Sequence, residues 1–404
     1  MAVEAKMEYL NYLNHAPIAF HFAKNPRNFI VEEIPLYEFC GSGEHLILKV
    51  RKKGVSTNEM LNIFSRNLGI KRTEIGYAGL KDKNALTIQY ISIHKKFAKQ
   101  IENFNAENIK ILSATYHKNK LKLGHLRGNK FYICVKKVDK INAIKIEEIC
   151  KILVQNGMPN YFGMQRFGKN GDNFTQGRAI LEKNKILDKR EILDKRTNLQ
   201  GQFKVRDKKT AQFLISAYQS HLFNEWLKKR VEFCKVLESF GVKATSTRYK
   251  ITIDEIKELQ NQAHFFKILR GDIMSEYPFG RLKSADERSA EQFLSHQIAP
   301  TGLLQGKKMM RATQSAGIFE SEFYDSLLEN QIGDRRVAWV FLQDLEFIYK
   351  KETAQGEFNF TLPKGSYATI FLEILSNNPK ILGKSSSKAK QNADDLKASD
   401  LLDF

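Results

Sequence analysis

A chain of 404 residues with 42% hydrophobic content can bury a large core and is longer than one average domain needs, so two folded units are expected. Its 65 Lys and Arg against 45 Asp and Glu leave a net charge of +20, which points to a polyanionic partner, nucleic acid first and an anionic membrane surface second. The lack of an 18-residue apolar run or a signal-peptide pattern argues against a membrane or secreted protein, so a cytoplasmic one is expected.

In chain order, Phe29 to Glu33 reads as a strand. Gly43 to Lys53 reads as another, with Leu46, Leu48 and Val50 alternating against polar neighbours. Ser56 and Glu59 have capping-box spacing ahead of Met60, Leu61, Phe64 and Leu68, and Gly69 supplies a stop, which together predict a short amphipathic helix. Next comes GYAGLKDKNALTIQYISI, Gly76 to Ile93, which sets Asp82 between Lys81 and Lys83 in a glycine-punctuated turn before a β-branched strand. Flanking ammonium groups would keep such a carboxylate ionised and ready to attack or to take a proton without a cofactor. Spacing by itself favours a plain solvated turn, so the rest of the chain has to decide.

From His117 to Lys137 there are seven Lys or Arg and no acid; Lys118, Lys120 and Lys122 alternate with Leu121 and Leu123 as on a strand with one basic face. Arg127 and Lys130 extend it. Such a face can track phosphates or can be an ordinary solvated edge, and the total charge tips the reading towards RNA or DNA. Ala143 to Val154 has the spacing of a helix that buries Ile146, Ile149, Cys150 and Val154, and Gly157 and Pro159 then break the chain, where a domain boundary is placed. In NYFGMQRFGKNGDNFTQGR, Tyr161, Phe162, Phe167 and Phe174 are interleaved with Arg166, Lys169 and Arg178. Rings and cations in a glycine-rich loop suit base stacking and phosphate contact, while any single Phe is more often core. Leu214, Ala217, Tyr218, Leu222 and Trp226 form the core stripe of a long helix.

Towards the carboxyl end, Phe358 to Leu375 reads as a strand, a Pro-Gly turn and a helix from Ser366 that returns to the first unit. NPKILGKS, Asn378 to Ser385, lacks the first glycine of a phosphate-binding loop, which excludes an NTPase, and the polar stretch after it reads as a tail. Cys40, Cys134, Cys150 and Cys234 are too scattered for a CxxC pair, and the nine histidines show no metal-ligand spacing, so no metal and no disulfide are expected.

Seven blocks, in order from about Lys24 to about Leu375, resemble the TruD family of tRNA pseudouridine synthases. They are NPRNFIVEE, GEHLILKVRKKGVST, GYAGLKDKNALTIQYIS, HKNKLKLGHLRGNKF, MPNYFGMQRFG, LISAYQSHLFN and LPKGSYATIFLEIL. The resemblance implies an α/β (α+β type) pseudouridine synthase core with a mixed, largely antiparallel sheet, plus an inserted TRUD-specific α/β domain. Residues 1–159 and 337–383 would form the core, 160–336 the insertion and 384–404 a mobile tail.

It also implies isomerisation of uridine 13 in the D stem of tRNA to pseudouridine, with tRNA as partner, no cofactor and a monomeric protein. Asp82 stands in the position of the family's catalytic aspartate, Phe162 where many such enzymes hold a tyrosine against the base, and Asn160 in a matching site-organising position. Attack at C1′, addition to C6 of the base and removal of a sugar proton all remain open to a carboxylate there. The basic partner departs from the pattern: the family's lysine would fall on Ala23, one residue before Lys24. In a strand that displacement reverses the face, so Lys81 and Arg166 are the substitutes considered. Glu33 matches a family acid whose role is either functional or that of a buried partner to a cation. A noncatalytic RNA-binding or ribosome-assembly factor, or a DNA-binding protein, would account for the same charge and aromatics; dispensability of Asp82 would mark the first, preference for duplex DNA the second.

Overall fold

A computed structural model describes residues 9–168, 170–193 and 208–378. Lys169, the tail 384–404 and all but the first residue of NPKILGKS lie outside them.

The first part of the chain lays down β1 (Phe29–Pro35), β2 (His45–Lys53), β3 (Gly76–Tyr77), β4 (Leu86–His94), β5 (Ile109–His117) and β6 (Leu126–Lys136). A helix, Lys140–Asn156, leads to β7 (Met158–Pro159). Then follow helices and β8 (Ile273–Glu276), β9 (Leu282–Ser284), β10 (Ile298–Leu304) and β11 (Asp334–Val337). The chain closes with β12 (Trp339–Val340), β13 (Gln343–Lys350), β14 (Gln355–Pro363) and the helix Ala368–Ser376.

Eight strands make one sheet in the order β13-β14-β6-β1-β4-β2-β5, with β3 also on β4. Among the described residues, β1 and β4 run parallel, with Ile30 opposite Leu86, and every other ladder of this sheet is antiparallel. The sheet is therefore mixed and largely antiparallel. A second sheet, β11-β10-β8-β9, is built from strands between Ile273 and Val337, one residue past the expected boundary at 336, and β7 pairs with β12 where the chain leaves for that segment and comes back.

Local chemistry accounts for the elements around the Asp82 loop. The helix Thr57–Leu68 starts on Ser56 with both halves of a capping box in place and ends on Gly69 in the left-handed region. Its buried face, Met60, Leu61, Phe64 and Leu68, packs on Leu46, Leu48, Val50, Ile91 and Ile93 of β2 and β4. Each large apolar side chain so buried contributes about 1.5–3 kcal/mol, which fixes the helix against the sheet end that carries the loop.

Two expectations are corrected, and Gly76 gains a specific role. Lys118 to Lys122 form a loop and not a strand, since β5 ends at His117. Leu121 is buried there with its N–H donating to Ser92 Oγ (2.9 Å), whereas Leu123 is 66% exposed, so the alternation carried no sheet. In the helix after β6, Leu153 takes the core position expected of Val154, which is exposed. Gly76 lies outside the positive-φ glycines; its role is close approach, because a Cβ there would stand 2.3 Å from Ser92 Oγ and 2.4 Å from the Leu121 carbonyl oxygen. Gly76→Ala is expected to push the 118–122 loop off the sheet and destabilise the fold by about 1–3 kcal/mol, read as a lowered urea midpoint.

Candidate active site

The parallel ladder explains which groups meet. It aligns the starts of β1 and β4, so the segment before Phe29 and the loop before Leu86 emerge at the same end of the sheet. The antiparallel partner β2 arrives there with its own end, Lys52 opposite Thr87. Three segments far apart in sequence thus converge on Asp82.

Asp82 is exposed, and Lys24 Nζ lies 2.5 Å from its Oδ2. Neither lysine that flanks it in sequence is its partner. Lys81 turns inward to Glu33 (2.9 Å, both side chains below a tenth exposed), and Lys83 reaches Glu59 at 3.0 Å. This corrects the expected sources of the ammonium groups. The displacement from Ala23 to Lys24 does not reverse a face, because Lys24 stands five residues before β1, where no strand alternation applies. Burial raises the Glu33 carboxyl and the Lys81 charge lowers it, and Glu33 also accepts from the Tyr90 N–H at 3.4 Å.

The loop backbone is held from below by side chains that no motif singled out. Lys52, 1% exposed, donates to the carbonyls of Val55 (2.7 Å), Lys81 (3.3 Å) and Asp82 (3.1 Å). Burial pushes its pKa down to about 8, with the Asp82 charge opposing. Thr57 Oγ1 accepts from the Lys81 N–H (2.8 Å) and donates to Gln89, whose amide donates to the Gly79 carbonyl at 3.4 Å. The signal for Lys52 was in the strand: it continues the alternating face Leu46, Leu48, Val50.

Lys24 also ties this loop to the 3₁₀ turn Met164–Arg166, with Nζ 3.5 Å from Gln165 Oε1. That turn follows Phe162. The Phe162 N–H donates to Asn224 Oδ1 (2.8 Å), and its carbonyl accepts from Asn224 Nδ2 (3.0 Å) and from the Tyr9 hydroxyl (2.9 Å), so the ring is carried on a fixed backbone. Arg336 stacks on the Phe162 ring at 3.8 Å and donates to the carbonyl and side-chain oxygens of Asn160. Asn160 Nδ2 in turn donates to the Val337 carbonyl. Asn160, Phe162, Arg166 and Arg336 line a cavity of about 420 Å³, with Pro278, Phe279, Pro363 and Lys364 among its other walls.

Of the basic residues, Lys118, Lys122, Arg127 and Lys130 are exposed, while Lys120 donates to the Thr73 carbonyl at 2.6 Å. Tyr161, Phe162, Phe167 and Phe174 all belong to the core, Phe162 being 8% exposed where it lines the cavity. Among the described residues no cluster of His, Cys, Asp or Glu could hold a metal ion, and no helix is long and apolar enough to cross a membrane. The cysteines are free, Cys40 exposed and the other three buried.

An exposed carboxylate with one ammonium partner, on a braced loop of a mixed α/β sheet that Lys24 links to the turn after an arginine-stacked ring, defines a polar site of acid-base or nucleophilic type. The sequence model of tRNA pseudouridine synthase D (TruD) matches residues 6–187 and 185–374. The chain is 48% identical over 372 residues to "tRNA pseudouridine synthase D" of Sulfurimonas denitrificans, 92% of this chain and 99% of that protein. It is 47% identical over 385 residues to the Helicobacter pylori protein of the same name, 92% of this chain and 96% of that one. In fold it is similar to the crystal structure of a putative tRNA pseudouridine synthase D from Methanosarcina mazei, with a TM-score of 0.62 at 22% identity over 92% of this chain and 96% of that one. The chain belongs to the TruD family of tRNA pseudouridine synthases.

The buried pair makes a stability prediction. Lys81→Met strands the Glu33 carboxyl and should cost about 3–5 kcal/mol in urea unfolding, whereas adding Glu33→Leu should recover most of the loss.

Proposed function

We propose that this protein isomerises uridine 13 in the D stem of tRNA to pseudouridine, with Asp82 as the nucleophile. The observation that carries the reading is the Lys24–Asp82 pair at 2.5 Å on a loop whose own carbonyls are fixed by Lys52. In the reaction the C1′–N1 bond breaks, the uracil turns, and a C1′–C5 bond forms; C5 gives up its proton and N1 gains one. Nothing is oxidised, reduced or added, so one carboxylate with a cation beside it suffices.

The target base lies inside a stacked stem and is flipped out at a cost of a few kcal/mol. Phe162, 8% exposed under Arg336, lines the cavity that receives the extruded base in this reading, and Asn160 with Arg336 holds the wall on which that ring sits. Lys118, Lys122, Arg127 and Lys130 supply exposed charge for phosphates. Residues 160–336, which leave and return through the β7–β12 ladder, serve as the inserted unit that closes over the RNA.

With unmodified tRNA, the wild-type protein should form pseudouridine and Asp82→Asn should form none while still binding tRNA. An unchanged yield from Asp82→Asn would overturn the assignment and leave a noncatalytic RNA-binding role.

Lys52 gives the reaction an alkaline limb. As pH rises through about 8 its ammonium loses a proton, and with it one of the three donors that brace the loop, so turnover should fall. Unfolding does not cause that loss. An unfolded lysine titrates near 10.5, so between about 8 and 10.5 the unfolded chain binds more protons and the Lys52 contribution to stability rises with pH. Lys52→Met should be slow at every pH and lack this limb, with tRNA affinity little changed; a limb that survives in Lys52→Met would refute the role.

A further inference from the structure

The cavity beside Phe162 holds two guanidinium groups and no carboxylate bonded to either. Arg166 lies 5.8 Å and Arg336 3.8 Å from the same ring centroid. Arg166 donates to neutral groups only, Ser216 Oγ at 2.7 Å and Ser220 Oγ at 3.2 Å. Arg336 donates to Asn160 and, at 2.9 Å, to the Gly365 carbonyl. Among the described residues, Nη1 of each arginine has no protein acceptor.

The neighbouring arginine shows the contrast. Arg335, on the same strand, is paired with the Glu320 carboxylate at 2.6 Å. The acid on the cavity wall, Asp334, accepts from the Arg335 N–H. Lys364 adds a third cation, 4.2 Å from the Phe279 ring on another wall.

Two like charges on one ring repel, and partial burial removes the water that would screen them. Burial lowers the Arg336 pKa to about 10, with Tyr367 opposing and the Arg166 charge adding to the fall, so both groups stay positive at neutral pH. An anion between them offsets both costs and finds two free N–H₂ groups as donors. A guanidinium fork suits phosphate oxygens.

We infer that Arg166 and Arg336 form a clamp for one phosphodiester group of the RNA, the phosphate adjoining the extruded uridine. The inference rests on the proposed tRNA reaction and extends it to the group that anchors the flipped nucleotide. Held there, the backbone presents the ribose to Asp82 while the base meets Phe162. The clamp binds phosphate in both the ground and the transition state, so its signature is in affinity and salt dependence.

The test uses wild-type protein and tRNA in which the phosphate on either side of the target uridine is replaced, one at a time, by a neutral methylphosphonate. One of the two replacements should weaken binding at least tenfold and lower the slope of log K against log salt by about 0.7–0.9. Arg336→Gln should reproduce that loss, Arg336→Lys should restore the slope, and Arg336→Gln with the neutral RNA should be no worse than either change alone. Wild-type protein that forms pseudouridine yet is indifferent to both replacements overturns the clamp and leaves the function standing. Additive losses also overturn it. Failure of the wild type to form pseudouridine would sink the functional reading and the clamp with it. Because the RNA is altered and the protein is not, the result does not depend on the folding of a variant.

Discussion

The parallel register of β1 on β4 is the constraint on which the site depends. An antiparallel partner would place the segment before β1 at the opposite end of the sheet from the loop before β4. Parallel pairing brings them together, so a lysine 58 positions away in sequence becomes the nearest cation to Asp82. The same alignment sets Glu33 where Lys81 can reach it and where Tyr90 can donate to it. One ladder thus decides both the exposed pair and the buried one.

Cations serve three separate ends here. Lys52 fixes backbone: a buried ammonium saturated by carbonyls is a brace, and its cost in lost hydration, which lowers its pKa, is offset only in part by three hydrogen bonds. Lys81 neutralises a buried acid and keeps the loop turned so that Asp82 faces outward. Arg166 and Arg336 remain without an acidic partner, which leaves charge in reserve for a ligand. Bracing of the loop and the unpartnered charge fall to different residues, so they can be changed independently.

Legibility in the sequence followed the range of the signal. Ser56, Glu59 and Gly69 lie within one helix length, and the helix they delimit is where they indicate. The same holds for β14, its turn and the closing helix, whose apolar runs and Pro-Gly break are contiguous. The Lys118–Lys122 alternation failed because period two is necessary for a strand and not sufficient: that segment lies across Gly76 and is held by Ser92, with no neighbour for a ladder. The motif placed the basic partner on Ala23, and strand logic argued against its neighbour Lys24; that logic does not apply because Lys24 lies outside a strand, and it is Lys24 that pairs with Asp82. Arg336 had no local mark, since a short strand at the end of a long segment meets Phe162 only after the chain has travelled 174 residues.

The β7–β12 ladder has an evolutionary corollary. It works as a doorway, two short strands whose hydrogen bonds close the gap whatever lies beyond. Residues added or removed past that threshold alter loop-closure entropy by only about 0.6 kcal/mol per doubling of length. A lineage can therefore reshape the segment beyond the ladder while the sheet end bearing the carboxylate stays put.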